Sequence, residues 1–218
     1  KTAEEVMKFI NNEAHKASQQ LAIIRGPFPN FKKNKLKPNF LKVKERNATL
    51  TTIAPTGSIS LIANCSSGIE PIFGLAFSHD LVSGKKIEIS NPILLKYLKD
   101  KNLYKKEILN QILKEGTLKN IKELDKETKK IFKTALEISA ENHLKMQAAF
   151  QKYTDNAVSK TVNLPNSSKI EDVKNIFLKA YELGCKGVTV YRYGSKENQV
   201  LFLGVNKNKD KNVCLNCS

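Results

Sequence analysis

Two short stretches carry residue types whose spacing suits chemistry. The first is Ala54-Pro55-Thr56-Gly57-Ser58-Ile59-Ser60. A phosphate needs backbone N–H donors and local positive potential, and the N-terminus of a helix supplies both. Gly57 lacks a Cβ, so an anion can approach the main chain closely there. Thr56, Ser58 and Ser60 add hydroxyl donors. The same residue types also make ordinary turns, and no Walker-type Gly-x-x-x-x-Gly-Lys is present. The second stretch is Cys214-x-x-Cys217, beside the last residue given. It reads as a redox dithiol, in which one thiolate attacks a disulfide and the other resolves the mixed intermediate. It also reads as half of a zinc site lacking its second pair, or as a chance spacing in a frayed tail.

Other reactive residues point less sharply. Cys65 and Cys185 sit among apolar and small neighbours and read as inert small hydrophobes. His15 and His143 fall in predicted helices and His79 in a predicted loop, none with a ligand at metal-binding spacing. Glu70, in Gly68-Ile69-Glu70-Pro71, is a functional carboxylate or a turn residue. No metal site is expected.

The elements that position these residues follow from periodicity. Val6, Ile10, Ala14, Ala17 and Leu21 predict an amphipathic helix over 3–21. A Lys- and Pro-containing loop runs to about Glu45. The β-branched stretch 48–54 predicts a strand, followed by a turn and a short helix from Ile59 to Ala63. Residues 91–138 read as two or three surface helices broken at Gly116. Ser139 caps a further helix whose core face is Met146, Ala149, Phe150 and Tyr153. Then come a strand over 157–164 and a helix over 171–183, with Val173, Ile176, Phe177 and Ala180 inward and Gly184 as its stop. A second strand spans 187–191. This is a βαβ unit, so its strands should be parallel and its crossover right-handed. Residues 206–210 are a polar tether for the terminal cysteines. The class is α/β, with no internal repeat; periodicity alone does not choose between an open sheet and a barrel.

Composition narrows the partners. The 218 residues are 40% hydrophobic, enough for a sizeable core. The net charge of +16 invites a polyanion. Yet only Arg25, Arg46 and Arg192 among the 37 basic residues are arginines, and the lysines are dispersed. Arginine is the residue suited to bidentate phosphate and base recognition, so a nucleic-acid partner is not expected. No apolar run is long enough for a membrane span, and no signal-peptide pattern is visible. The expected compartment is the reducing cytoplasm. The chain opens at Lys1 in helical sequence, which reads as a fragment of something longer.

Longer blocks carry a resemblance. Arg46-Asn47-Ala48-Thr49 through Ser60, then Cys65-Ser66-Ser67-Gly68-Ile69-Glu70-Pro71-Ile72-Phe73, resemble the class II, vitamin B12-dependent ribonucleotide reductases. So do 143–151 leading into Thr154-Asp155-Asn156-Ala157-Val158-Ser159-Lys160-Thr161, and 181–192. The resemblance covers nearly the whole chain and implies the C-terminal part of a ten-stranded α/β barrel over 1–205, with a flexible redox tail over 206–218.

It also implies replacement of the ribose 2′-hydroxyl by hydrogen, started by a thiyl radical made with adenosylcobalamin. In that family Pro55, Thr56, Gly57, Ser58 and Ile59 would hold the substrate diphosphate. Cys214 and Cys217 would re-reduce an active-site cysteine pair and be reduced by a thioredoxin-like partner. A ribonucleotide substrate and a homodimer of the full-length enzyme are implied as well. The family's Asn-x-Cys-x-Glu motif is absent from these residues, and Cys65 and Cys185 lie in the wrong contexts to replace its cysteines. Hence no catalytic residue is assigned, cobalamin should be bound largely by segments outside this chain, and the chain alone should be inactive. Two alternatives stand beside this. A class I large subunit is disfavoured because Arg192 separates Tyr191 from Tyr193. A non-catalytic basic anion- or nucleic-acid-binding module rests on the charge.

Overall fold

The computed structural model describes residues 1–31, 43–80, 86–195 and 201–204. Two compact units are present, built from interleaved parts of the chain.

The first unit takes Lys1–Ile69, Glu141–Val162 and Glu171–Thr189. It opens with helix α1, Thr2–Arg25, which carries Glu4 and Glu5 in its first turn and Arg25 in its last. Those charges complement the helix dipole at both ends. Gly26, at φ 76°, ends it. The predicted helix is therefore present, but its phase differs. Val6, Ile10 and Leu21 are exposed, and the buried residues are Met7, Ser18 and Ala22. The inward line is displaced by one residue because it includes polar groups that a hydrophobic count omits.

Helix α2 follows at Gly57–Ile62. Two longer helices complete the unit: α6, Ala140–Gln151, and α7, Ile170–Glu182. Here too the buried face is polar: α6 buries His143, Leu144, Gln147 and Gln151, while Met146 is exposed. Physical demand explains this. Gln147 Nε2 donates to the carbonyls of Val158 and Gly187, at 3.3 and 2.6 Å. Gln151 Nε2 donates to those of Thr154 and Asn156, at 3.3 and 2.8 Å. Main-chain groups that are not in a sheet ladder need partners, and α6 supplies them. On α7, Ile176 and Ala180 are buried as expected, whereas Phe177 is exposed. Gly184, at φ 72°, follows its end.

The second unit takes Glu70–Ala140, Asn163–Ile170 and Val190–Ser218. Strands β1 (Ala76–Asp80) and β2 (Lys86–Ser90) pair antiparallel with Ala76 opposite Ser90. The short strand β5, Leu201–Leu203, pairs antiparallel with the other edge of β1. None of these three strands is predicted above, and His79 lies in β1 rather than in a loop. Helices α3 (Pro92–Asp100), α4 (Lys106–Glu115) and α5 (Lys126–Ile131) follow. They are not merely surface helices. Leu94 and Leu98 of α3 and Ile108 and Ile112 of α4 belong to one buried cluster with Ile121, Phe132, Leu75 and the first residue of β1, Ala76. Local chemistry marks each end. Asn91 caps α3 by accepting from Leu94 N–H, and Asp125 caps α5 by accepting from Thr128 N–H. Gly116 ends α4 in the left-handed region. Thr134 and Glu137 form a capping box around a short 3-10 turn.

Strand β3, Thr161–Leu164, pairs with strand β4, Thr189–Arg192. Tyr193 N–H, just past the end of β4, donates to Leu164 O at the end of β3. The two ends lie together, so the strands are parallel, as the βαβ reading requires. Among the described residues no helix is long and apolar enough to cross a membrane.

Candidate phosphate-binding loop

The segment leading to the loop is not the regular strand expected for 48–54. Only Ile53 forms a bridge, parallel to Val158. The segment is still pinned on both sides of it: Asn156 N–H donates to Thr51 O, Ile53 N–H to Ala157 O and Ser159 N–H to Ile53 O. At Leu50 and Thr51 the main-chain N–H groups donate instead to the Asp155 carboxylate, at 2.8 and 3.2 Å. A side chain therefore does what a ladder would do.

The turn itself is tightly specified. Thr56 is left-handed, at φ 52°. That conformation costs a β-branched residue about 1–2 kcal/mol, so the surroundings must hold it. They do so through Gly68, whose N–H donates to Thr56 Oγ1 at 2.7 Å. Ser67 Oγ donates to Pro55 O. Gly68 is itself at φ 51°, and a Cβ there would lie 2.9 Å from Ala54 O. Only glycine fits this close approach.

From Gly57 the chain enters α2, with Ser60 N–H donating to Thr56 O. Gly57, Ser58 and Ile59 are exposed, and the first N–H groups of a helix have no intrahelical acceptor. A Cβ on Gly57 would meet nothing within 4 Å, so the approach to its backbone is open. Pro55, Thr56, Gly57, Ser58 and Ile59 thus share one turn, with main-chain donors and the Ser58 hydroxyl turned to solvent. Ser60 is a correction. It is buried and its hydroxyl donates to Gly57 O at 2.8 Å, so it braces the turn and does not face a ligand.

Cys65 is exposed, against the expectation of a packed small hydrophobe. Cys185 is half-buried, and burial pushes its thiol pKa up. That keeps it protonated and unreactive near neutrality. Glu70 is half-buried. Cys214 and Cys217 lie outside the described residues. Among the described residues no group of His, Cys, Asp and Glu is arranged to hold a metal. His15 contacts a carboxylate through each ring nitrogen, and His143 is buried with its Nδ1 2.8 Å from Lys160 Nζ. Neither offers a free imidazole to a cobalt centre.

Just past β4, Tyr193 stacks on Phe73, with ring centroids 6.4 Å apart. Burial, then the neighbouring Tyr193, raise the Tyr191 pKa. Sequence reasoning missed Gly68 as the partner of the turn and Asp155 as the anchor of its lead-in. The close approach at Gly68 is visible only once the two segments are folded together.

Residues 35–191 match the family described as ribonucleotide reductase, barrel domain. Over 94% of its length the chain is 46% identical to the vitamin B12-dependent ribonucleoside-diphosphate reductase of Thermoplasma acidophilum, of which it covers 26%. It is 42% identical over 91% of its length to the enzyme of that name from Mycobacterium tuberculosis, covering 28% of it. Among solved structures, the Actinobacillus ureae class Id ribonucleotide reductase alpha subunit superposes with a TM-score of 0.73 at 30% identity, covering 88% of this chain and 34% of that one. The chain thus spans about a quarter of the curated relatives' length. It belongs to the ribonucleotide reductase barrel domain family.

Proposed function

We propose that this chain is part of an adenosylcobalamin-dependent ribonucleoside-diphosphate reductase, and that Pro55, Thr56, Gly57, Ser58 and Ile59 hold the substrate diphosphate. The observation that carries this reading is the turn at Thr56–Gly57. It presents exposed main-chain donors at a helix start, braced from behind by Ser60, Ser67 and Gly68. Two charged phosphates are met there by N–H groups and a hydroxyl, without a basic side chain in the turn. The chain's net charge of +16 favours approach of such an anion.

When bound, adenosylcobalamin supplies the radical that starts replacement of the 2′-hydroxyl by hydrogen. Its close contacts are assigned largely to segments outside this chain. What this chain's residues do is bind and orient: they fix the diphosphate, and through it the ribose. Arg192 between Tyr191 and Tyr193 favours the cobalamin route over a class I subunit with adjacent tyrosines. Cys214 and Cys217 are assigned the role of tail dithiol, reduced by a thioredoxin-like partner in the cytoplasm.

Calorimetric titration of the chain with cytidine diphosphate tests the site. Binding that is lost in Gly57→Val, where a branched side chain covers the open approach, is expected. Equal binding by wild type and Gly57→Val overturns the assignment.

A further inference from the structure

The residues that anchor the lead-in to the phosphate loop converge on one imidazole. His15 of α1 has Nδ1 2.8 Å from Glu45 Oε1 and Nε2 3.3 Å from Asp155 Oδ1. A carboxylate accepts only, and a neutral imidazole carries a single N–H. Both contacts are satisfied together only when the ring is an imidazolium. The surroundings are built to keep it so. Glu45 is 3% exposed and also accepts from Gln19 Nε2 at 3.3 Å. Asp155 Oδ1 also accepts from Asn11 Nδ2, at 3.1 Å.

The other face of Asp155 is turned to the loop's lead-in. Its Oδ2 takes the N–H groups of Leu50 and Thr51, and its own N–H donates to Thr51 Oγ1 at 2.9 Å. Asn11 Nδ2 reaches the same Thr51 hydroxyl at 3.2 Å. Thr51 is buried, and two residues on Ile53 is held between Ala157 and Ser159. Pro55 follows two residues later. Two hydrogen bonds in series, from the ring to Asp155 and from the Leu50 and Thr51 N–H groups to Asp155, thus connect the imidazole to the chain that leads into the loop.

We propose that His15 and Asp155 are positioning residues for the phosphate loop, and that the charge on His15 makes substrate binding protonation-dependent. This rests on the phosphate-binding reading above. Loss of the proton leaves one ring nitrogen's lone pair facing a carboxylate, with Glu45 and Asp155 no longer compensated. Lys186 touches the cluster only through the Asp155 carbonyl, so it does not replace the imidazolium. The directions of titration agree. Burial opposes the charge on His15, but the hydrogen bonds it donates to Glu45 and Asp155 outweigh it, and the pKa lies above the ordinary imidazole value. Burial also opposes ionisation of Asp155, and is outweighed by Leu50 N–H, Asn11, His15 and Thr51 N–H, so its pKa lies below the usual carboxylate range. The arrangement is therefore intact between the two pKa values. It is lost on the alkaline side as pH rises through the His15 value, and on the acid side as pH falls through that of Asp155.

The test measures amide exchange at Leu50 and Thr51, corrected for intrinsic rates, together with cytidine diphosphate affinity across pH. Protection of both amides should fall as His15 loses its proton, as followed by its ring resonances. Affinity should weaken in the same range on the order of tenfold, a typical coupling between linked sites. His15→Gln, which keeps one donor, should remove that pH dependence and bind weakly throughout. Exchange at Leu50 and Thr51 that is indifferent to His15 titration overturns the proposal, and wild-type exchange reads this even if the variant fails to fold. Affinity in His15→Gln that keeps the wild-type pH profile overturns it as well. A wild-type chain that binds no cytidine diphosphate defeats the phosphate-binding reading instead, while the exchange data still decide whether His15 holds the lead-in.

Discussion

Replacing Gly68 with alanine perturbs the loop from a residue that does not itself meet the ligand. Two costs arise. The backbone sits at φ 51°, where an L side chain is disfavoured by about 1–2 kcal/mol. The new Cβ would also lie 2.9 Å from Ala54 O, a main-chain atom that cannot swing aside. Relief requires the 54–56 segment and Gly68 to separate, which breaks the 2.7 Å bond from Gly68 N–H to Thr56 Oγ1. Such a bond contributes about 1 kcal/mol net. Together these reach roughly 2–3 kcal/mol, or between about 30- and 150-fold in an equilibrium constant. Because the turn is exposed, the chain is expected to remain folded and to lose the turn locally. Most of the cost should then appear in cytidine diphosphate affinity, measured by calorimetry, with a smaller fall in the urea midpoint. Gly68→Ala with wild-type affinity and an unchanged midpoint would refute the argument that Gly68 holds Thr56 in place.

Ser58→Ala should weaken diphosphate binding several-fold in the same titration. Ser60→Ala should leave the bound-state contacts intact and lower stability by about 1 kcal/mol, since its hydroxyl braces Gly57 O; reversal of that order would exchange their roles. Leu98→Ala, which empties a fully buried position on α3, should cost about 2–5 kcal/mol in urea unfolding. A loss below 1 kcal/mol would show that this cluster is not close-packed. Turnover of cytidine diphosphate by the chain with adenosylcobalamin and a dithiol should be undetectable by chromatography, because the Asn-x-Cys-x-Glu motif is not among its residues.

How far the sequence was legible depends on which forces set each element. The βαβ unit was readable because Val173, Ile176 and Ala180 mark one face of α7 and Gly184 ends it, all from local signals. The hairpin of β1 and β2 was missed. Its only apolar–polar alternation is short, and much of what stabilises it is non-local: Leu75 N–H donates to Gly116 O, and Asn91 N–H to Leu75 O, across long separations. In α1 and α6 the period was legible but the phase was not. Asn11, His15 and Ser18 line the inward side of α1, and His143, Gln147 and Gln151 that of α6. A hydrophobic count weights Val6 and Met146 above these residues and rotates each helix accordingly.

The same polar residues explain what kind of site the chain builds. An apolar face buries area but tolerates sliding, since dispersion and the hydrophobic effect are weakly directional. A hydrogen-bonded face fixes register, because each donor must meet its acceptor within a few tenths of an ångström. In the first unit the face of α6 grips main-chain carbonyls at Thr154, Asn156, Val158 and Gly187, and α1 grips Thr51 and Asp155. Those are the segments that flank the path to Thr56. Gln147 Nε2 alone holds two carbonyls, those of Val158 and Gly187. Leucine there would bury comparable area but would leave the carbonyls of Val158 and Gly187 without that donor, so the glutamine fixes the two segments in register.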